Sequence, residues 1–287
     1  MRRRLLAAVP ALVLIAGALF APAVLADGGR HGYDSIPKHL PGNLPSWGFE
    51  ATQTSELGNE ITFADPHHAM KLGDVKVTMS SWACQQGTWN GKDCFTQPGA
   101  RFSWPITFNI YNPPAEGASS PGSLIATETE TFSIPYRPSA STKCTGGQAG
   151  EWYSNSSKSC FNGLAVNIKF HFHDAHVRLP NTVVYGIAYN TSDYGAAPQR
   201  PQACNTTSAG CPYDSLNVAL STDPTDLSAG SNPNPGALFM NSSTASEYCD
   251  SGAHGVASFR LDSPGDGCWS FGDPNTLPAY IPAVQFK

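Results

Sequence analysis

The sequence predicts an all-β fold, an antiparallel β-sandwich of jelly-roll-like type with long disulfide-stapled loops. Three observations lead there. Short apolar runs alternate with polar residues at a period of two, the pattern of strands with one buried face. The 27 glycines and 24 prolines punctuate these runs with turns, and no stretch of the presumptive mature chain carries a convincing helical period. Eight cysteines, an even number, form neighbouring pairs that each enclose a short Gly-, Asn- or Ser-rich segment.

Residues 1–26 read as a signal peptide and are set aside. Arg2, Arg3 and Arg4 are its positive start, Leu5 to Phe20 its apolar stretch, and Val24-Leu25-Ala26 offers small or aliphatic residues before a cleavage at Asp27. The rival reading, an uncleaved membrane anchor, is weakened by Pro10 and Pro22, which break a run already near the threshold of about 18 apolar residues. No second apolar segment and no C-terminal sorting tail is expected, so the mature protein is read as secreted and free of the membrane. Its net charge of −5 becomes more acidic once the three arginines are lost, which argues against nucleic acid as a partner. With 14% charged residues the chain is too apolar for disorder.

Residues 27–48 carry Pro37, Pro41 and Pro45 among several glycines and lack an apolar period, so an extended leader is expected there. Residues 49–287 then read as a single β-sandwich domain without internal repeats. Ile61-Thr62-Phe63 is a short strand, and Val75, Val77 and Met79 alternate with polar residues in a clearer one. Ile106, Phe108 and Ile110 alternate with Thr107, Asn109 and Tyr111. Leu124 to Ile134 conflicts with itself, because Glu128 and Glu130 share a parity with Leu124, Phe132 and Ile134; a bulge near Thr131 would resolve the conflict.

The centre of the chain reads as a hairpin. Leu164, Val166, Ile168, Phe170 and Phe172 alternate with more polar residues, the Leu179-Pro180-Asn181 turn follows, and Val183 to Tyr189 is apolar or small on both faces, as a central strand requires. Leu216 to Leu220, Leu238 to Met240, Ala257 to Leu261 and Ala279 to Phe286 complete about nine or ten strands.

Exported cysteines imply disulfides, and the spacing favours sequential pairing: Cys84 with Cys94, Cys144 with Cys160, Cys204 with Cys211, and Cys249 with Cys268. Each such loop closure adds about 2 to 3 kcal/mol in the chain-entropy account. No C-x-x-C is present, so a thiolate zinc site is disfavoured.

Five runs stand out together: Phe49-Glu50-Ala51-Thr52-Gln53-Thr54-Ser55-Glu56, Met79-Ser80-Ser81-Trp82-Ala83-Cys84, Pro121 to Thr127, Val184 to Thr191 and Cys211 to Val218. In these runs the chain resembles a family of uncharacterised bacterial secreted β-sandwich proteins. The resemblance spans most of Phe49 to Phe286 and implies an exported jelly-roll-like domain. It implies no catalytic residue.

Aromatic residues in loops give the best binding argument. Trp89, Trp152, Tyr153, Tyr194 and Tyr213 flank cysteines or turns, where a ring can be held out to the apolar face of a sugar. Asn90, Asp93, Asn190, Asp193 and Asp214 are near enough in sequence to meet its hydroxyls, although a ring beside a disulfide also packs well as a satellite core. His171 and His173 share one strand face and, with Asp174 or His176, have the spacing of a metal site; Lys169 on the same face opposes it. Asp223, Asp226, Asn232, Asn234, Asp262 and Asp266 offer oxygen ligands for a structural calcium ion, without the EF-hand spacing. Glu128 and Glu130 are the candidate carboxylates of a glycosidase. No G-x-S-x-G, H-E-x-x-H or phosphate-loop motif occurs. The expected function is non-catalytic binding of a glycan or cell-surface polymer; an extracellular polysaccharide hydrolase and a structural envelope protein are the alternatives.

Overall fold

The computed structural model describes residues 32–38, 40, 44–65, 69–173, 177–222, 227–262 and 280–287. In chain order the strands are β1 (Tyr33–Asp34), β2 (Ser46–Gly48), β3 (Thr54–Thr62), β4 (Met70–Lys71), β5 (Asp74–Ser81), β6 (Arg101–Tyr111), β7 (Leu124–Pro135), β8 (Trp152–Ser154) and β9 (Ser159–Phe161). They continue as β10 (Leu164–His171), β11 (Arg178–Leu179), β12 (Thr182–Ala188), β13 (Leu216–Ser221), β14 (Leu238–Ser242), β15 (Arg260–Asp262), β16 (Ile281–Pro282) and β17 (Val284–Phe286). Helical structure among the described residues is confined to single 3-10 turns such as Ala203–Thr206 and Pro212–Ser215. The fold is all-β and its paired strands are antiparallel.

Two large sheets account for most strands. A seven-stranded sheet centres on β5, which pairs with β10 along one edge and with β17 and then β13 along the other. A six-stranded sheet runs β15-β14-β3-β12-β6-β7. Strand β12 lies between β3 and β6, the central position its two apolar faces call for.

The inward faces meet through aromatic rings. Phe108 of β6 is fully buried and stacks on Tyr185 of its own sheet at 5.5 Å; from the opposite sheet Phe170 lies at 5.4 Å and Phe286 at 5.7 Å. Phe132 meets Phe170 edge-on at 4.9 Å, and Phe63 meets Phe286 at 5.5 Å. Each offset or edge-to-face pair adds about 0.5 to 1.5 kcal/mol beyond the area it buries.

The strand pairing corrects two expectations about the middle of the chain. The central hairpin does not form: β10 pairs with β5 in one sheet and β12 with β3 and β6 in the other, so the chain between them crosses the sandwich. Alternation marks a buried face without saying which sheet carries it. No bulge occurs near Thr131, because β6 and β7 stay in register from Arg101 opposite Pro135 to Ile110 opposite Ala126; the irregularity comes beyond Ile110. Glu128 and Glu130 therefore stand opposite Phe108 and Ile106 on the inward parity of an edge strand, a placement that discourages further strand addition. At that rim Glu130 accepts a hydrogen bond from the His171 backbone N–H, and its carboxylate lies 3.3 Å from His171 Nδ1.

The leader is also more structured than its composition implies. Tyr33 of β1 is buried against the core and pairs with Phe286, while β2 pairs with β13. Strands of two or three residues are too short to show a period. Likewise the expected Ala257 to Leu261 strand is paired only from Arg260 onward, as β15.

Three disulfides form as spacing predicts: Cys84 to Cys94, Cys144 to Cys160 and Cys204 to Cys211. Cys249 is disulfide-bonded as well; its expected partner Cys268 lies outside the described residues. These bonds indicate an oxidising, extracellular setting. No helix among the described residues is long and apolar enough to cross a membrane. The expected signal peptide lies outside the described residues.

Phe108→Ala removes the ring that joins both sheets and should cost about 3 to 5 kcal/mol. Urea denaturation measures it, and a loss under about 1 kcal/mol would show that the sheets do not depend on this contact.

Candidate functional site

With one face of the six-stranded sheet committed to the core, register determines what the other face displays. One row across it reads Asn241, Glu56, Ala188, Thr107 and Thr129, from β14 to β7. The next reads Phe239, Gly58, Gly186, Asn109 and Thr127. Polar side chains dominate the first row, and two facing glycines open a trough in the second.

Glu56 lies in that trough. A Cβ on Gly186 would stand 2.0 Å from Glu56 Oε1, so glycine is what lets the side chain cross β12. Beyond it, Asn109 Nδ2 and the Tyr111 hydroxyl each donate to Oε1 at 2.9 Å. The Asn109 amide is oriented by its own Oδ1, which accepts from the Thr127 hydroxyl at 2.7 Å. Burial pushes the Glu56 carboxyl above its ordinary value, and the bonds from Asn109 and Tyr111 oppose that shift. Tyr111 is raised in turn, by its own burial and then by the Glu56 charge.

Half of this outer face is covered. Phe239 is fully buried, Phe259 packs on it at 5.7 Å, and Tyr111 meets Phe259 at 5.6 Å. The covering loop is pinned by Arg260, which is buried, donates to Asp250 Oδ1 at 2.9 Å and lies over the Tyr248 ring at 4.2 Å. Burial would raise Asp250, but hydrogen bonds from Arg260, His254 and the Gly252 N–H hold it down at about 2.

The uncovered half is a cavity of about 740 Å³, with Glu56, Thr107, Asn109 and Thr129 on its floor and Tyr194 and Asp193 on its wall. The wall is a tight loop: Thr191 N–H donates to the Tyr194 carbonyl at 2.8 Å, Ala197 N–H to Asn190 Oδ1 at 2.8 Å, and Trp104 Nε1 to the Asn190 carbonyl at 2.9 Å. Behind it, Asp214 accepts from the Ser192 N–H at 2.7 Å and hydroxyl at 2.6 Å, and Glu50 accepts from the Asp193 N–H at 3.2 Å. Burial raises both the Glu50 and the Asp214 carboxyls. Asp193 pairs with Arg200 at 3.0 Å.

No family model, curated protein or solved structure matches this chain.

The five predicted binding aromatics do not converge. Tyr194 lines the cavity above. Tyr153 borders a separate one of about 680 Å³, with Lys143 Nζ 4.6 Å from its ring centre. Trp89 borders a third. Trp152 and Tyr213 are packing residues instead: each is only 5% exposed, Trp152 donating to the Gly163 carbonyl and lying against Phe161, and Tyr213 stacking on Trp104 at 3.7 Å. A small loop beside a disulfide has few other groups with which to fill its interior.

Of the predicted metal ligands, His171 is turned to Glu130 and His173 borders a small cavity beside Glu128, while His176 and Asp174 lie outside the described residues. Among the described residues no group of three His, Cys, Asp or Glu side chains is placed to hold a metal. For calcium, Asn232 and Asn234 are engaged with each other and with Glu60, and Asp262 accepts the Cys249 N–H; Asp223, Asp226 and Asp266 lie outside the described residues. His67 and His68 lie there too. What sequence reasoning missed is Glu56 itself. The outward parity of Thr107, Asn109 and Tyr111 was visible, but their meeting with a residue on another strand follows from register alone.

Two outcomes are expected. Folding favours protonated Glu56, so its contribution is present below the ordinary glutamate value and is lost as pH rises through the elevated one. Glu56→Gln should therefore melt higher than wild type at pH 7, with the gap closing below about pH 4, where Glu56 is neutral in both states. A thermal scan at both pH values checks this, and a destabilised variant at pH 7 would contradict it. Arg260→Ala leaves Asp250 without its buried partner and should cost about 3 to 5 kcal/mol in urea; an unchanged midpoint would show the covering loop held by other contacts.

Proposed function

We propose that this protein is a secreted, non-catalytic β-sandwich that binds a glycan or cell-surface polymer in the cavity above Glu56, rather than through loop aromatics as a group. The observation that carries the reading is a carboxylate held on the cavity floor by Asn109 and Tyr111. Glu56 Oε1 is occupied by Asn109 and Tyr111, whereas Oε2 has no hydrogen-bond partner among the described residues. A charged acceptor in that position suits a pair of neighbouring hydroxyls on a sugar ring. The Thr107 and Thr129 hydroxyls, 2.8 Å apart, and the Asn241 side chain extend the polar floor, and the Tyr194 ring borders it. Among the described residues that line the cavity there is neither lysine nor arginine, so a neutral ligand is favoured over an acidic one.

Binding by the mature chain to an array of neutral glycans, followed by calorimetry, tests it. Glu56→Gln should weaken affinity by about tenfold to a hundredfold, the worth of one charge-assisted hydrogen bond, while raising stability at neutral pH. A structural glutamate would behave in the opposite way, losing stability and leaving binding unchanged. Absence of binding to every neutral glycan would overturn the proposal.

A further inference from the structure

The cavity that Trp89 borders, of about 510 Å³, is the second one built on the turn that follows β2. The glycan cavity takes Gln53 and Ser55 from this segment, and the second takes Gly48, Ala51 and Thr52. The two are also joined behind the turn. Asp193 on the wall of the first is hydrogen-bonded to Glu50, and its neighbour Ser192 is bonded to Asp214, which lines the second.

Trp89 and Trp82 form one side of this second cavity. Trp89 is 40% exposed, unusually open for a tryptophan, and meets Trp82 edge-on at 4.8 Å and 84°. Its loop is nonetheless rigid. Cys84 is bonded to Cys94, Gln86 and Phe95 exchange backbone hydrogen bonds at 2.9 Å, Thr88 N–H donates to Asp93 Oδ1 at 2.8 Å, and Gly91 N–H to the Thr88 hydroxyl at 2.9 Å. Trp82 is fixed by donating from Nε1 to the Ser80 hydroxyl at 3.1 Å and by packing where a Cβ on Gly163 would stand 2.6 Å away. A ring pre-placed in this way loses little freedom when a ligand stacks on it.

Two amides line the same cavity as the rings. Asn217 donates to the Ser46 hydroxyl at 3.0 Å and Asn162 to Glu151 at 3.1 Å, and each leaves its carbonyl oxygen without a hydrogen-bond partner among the described residues. A part-exposed indole in a cavity with two free acceptors fits a sugar ring, whose C–H face is apolar and whose rim donates hydroxyl hydrogens. We infer that the Trp89 cavity is a second sugar-binding site, and that the ligand is a neutral polysaccharide long enough to occupy both cavities across the turn at Glu50. The inference rests on the glycan reading of the first cavity and adds the length of the ligand.

The test is calorimetric titration with neutral glucose, mannose, galactose and N-acetylglucosamine oligomers, each from disaccharide to octasaccharide, against wild type, Trp89→Ala and Glu56→Gln. Wild-type affinity should rise with chain length and then level off. Trp89→Ala, which gives up the edge-on contact with Trp82, should lower the melting temperature by no more than about 5 °C, weaken the longest oligomers by about tenfold or more and leave the shortest unchanged. Glu56→Gln should weaken all lengths. Trp89→Ala without effect at any length, while Glu56→Gln still weakens binding, overturns the second site and spares the first. Loss of binding in Trp89→Ala alone places the ligand in the second cavity and overturns the reading of the first; no binding by wild type overturns both.

Discussion

Phe108 touches rings from both sheets, and that contact decides which way β6 faces. Successive residues of a strand point to opposite sides, so turning Phe108 and Ile106 inward turns Thr107, Asn109 and Tyr111 outward. A slip of one residue would bury the hydroxyls and amide and expose the rings, at a cost of several kcal/mol of lost apolar burial. The polar floor is thus a consequence of core packing. The same constraint carries through β12 and β3, where Tyr185 and Leu57 inward leave Gly186 and Glu56 outward.

Glu56 then shows where the sheet departs from what stability alone would select. A neutral residue would accept the same bonds from Asn109 and Tyr111 without the penalty of desolvating a charge. Placing two glycines in the adjoining row weakens strand propensity further. Both features become useful if the trough must admit a ligand and present a strong acceptor to it, which is the usual form of a trade between stability and binding.

Much of the fold was legible because burial on one face leaves a period of two: β5, β6, β10, β12 and β13 all stand where alternation put strands. Pairing was legible only in part. Leu164 to His171 and Thr182 to Ala188 are neighbours in sequence and belong to different sheets, and nothing in their composition marks the crossing. Inward carboxylates on β7 resembled a parity error because an edge strand obeys the core's pattern less strictly than a central one. Glu56 was hidden for another reason. Residues Thr54–Thr62 place Gly58 and the buried Asn59 mid-strand, which blurs the alternation, and Asn109, its partner, comes from a different strand. Loop tryptophans and tyrosines were visible, but exposure depends on what each loop has available to fill itself, so Trp89 and Trp152, both beside disulfide loops, end in opposite environments.

The disulfides among the described residues join neighbouring stretches of chain rather than the two large sheets. The three among the described residues close local loops of 10, 16 and 7 residues' separation, and none ties one large sheet to the other. The Cys84 to Cys94 loop carries Trp89. The Cys204 to Cys211 loop holds Asn205, whose amide donates to the Ser192 hydroxyl at 2.7 Å and so braces the wall of the first cavity. Packing already holds the sheets together, since both contribute to one aromatic interior. Loops with so few apolar residues have no comparable means of staying in one conformation. Cross-links placed there remove freedom that binding would otherwise have to remove, and the Cys84 to Cys94 and Cys204 to Cys211 loops are placed to do so.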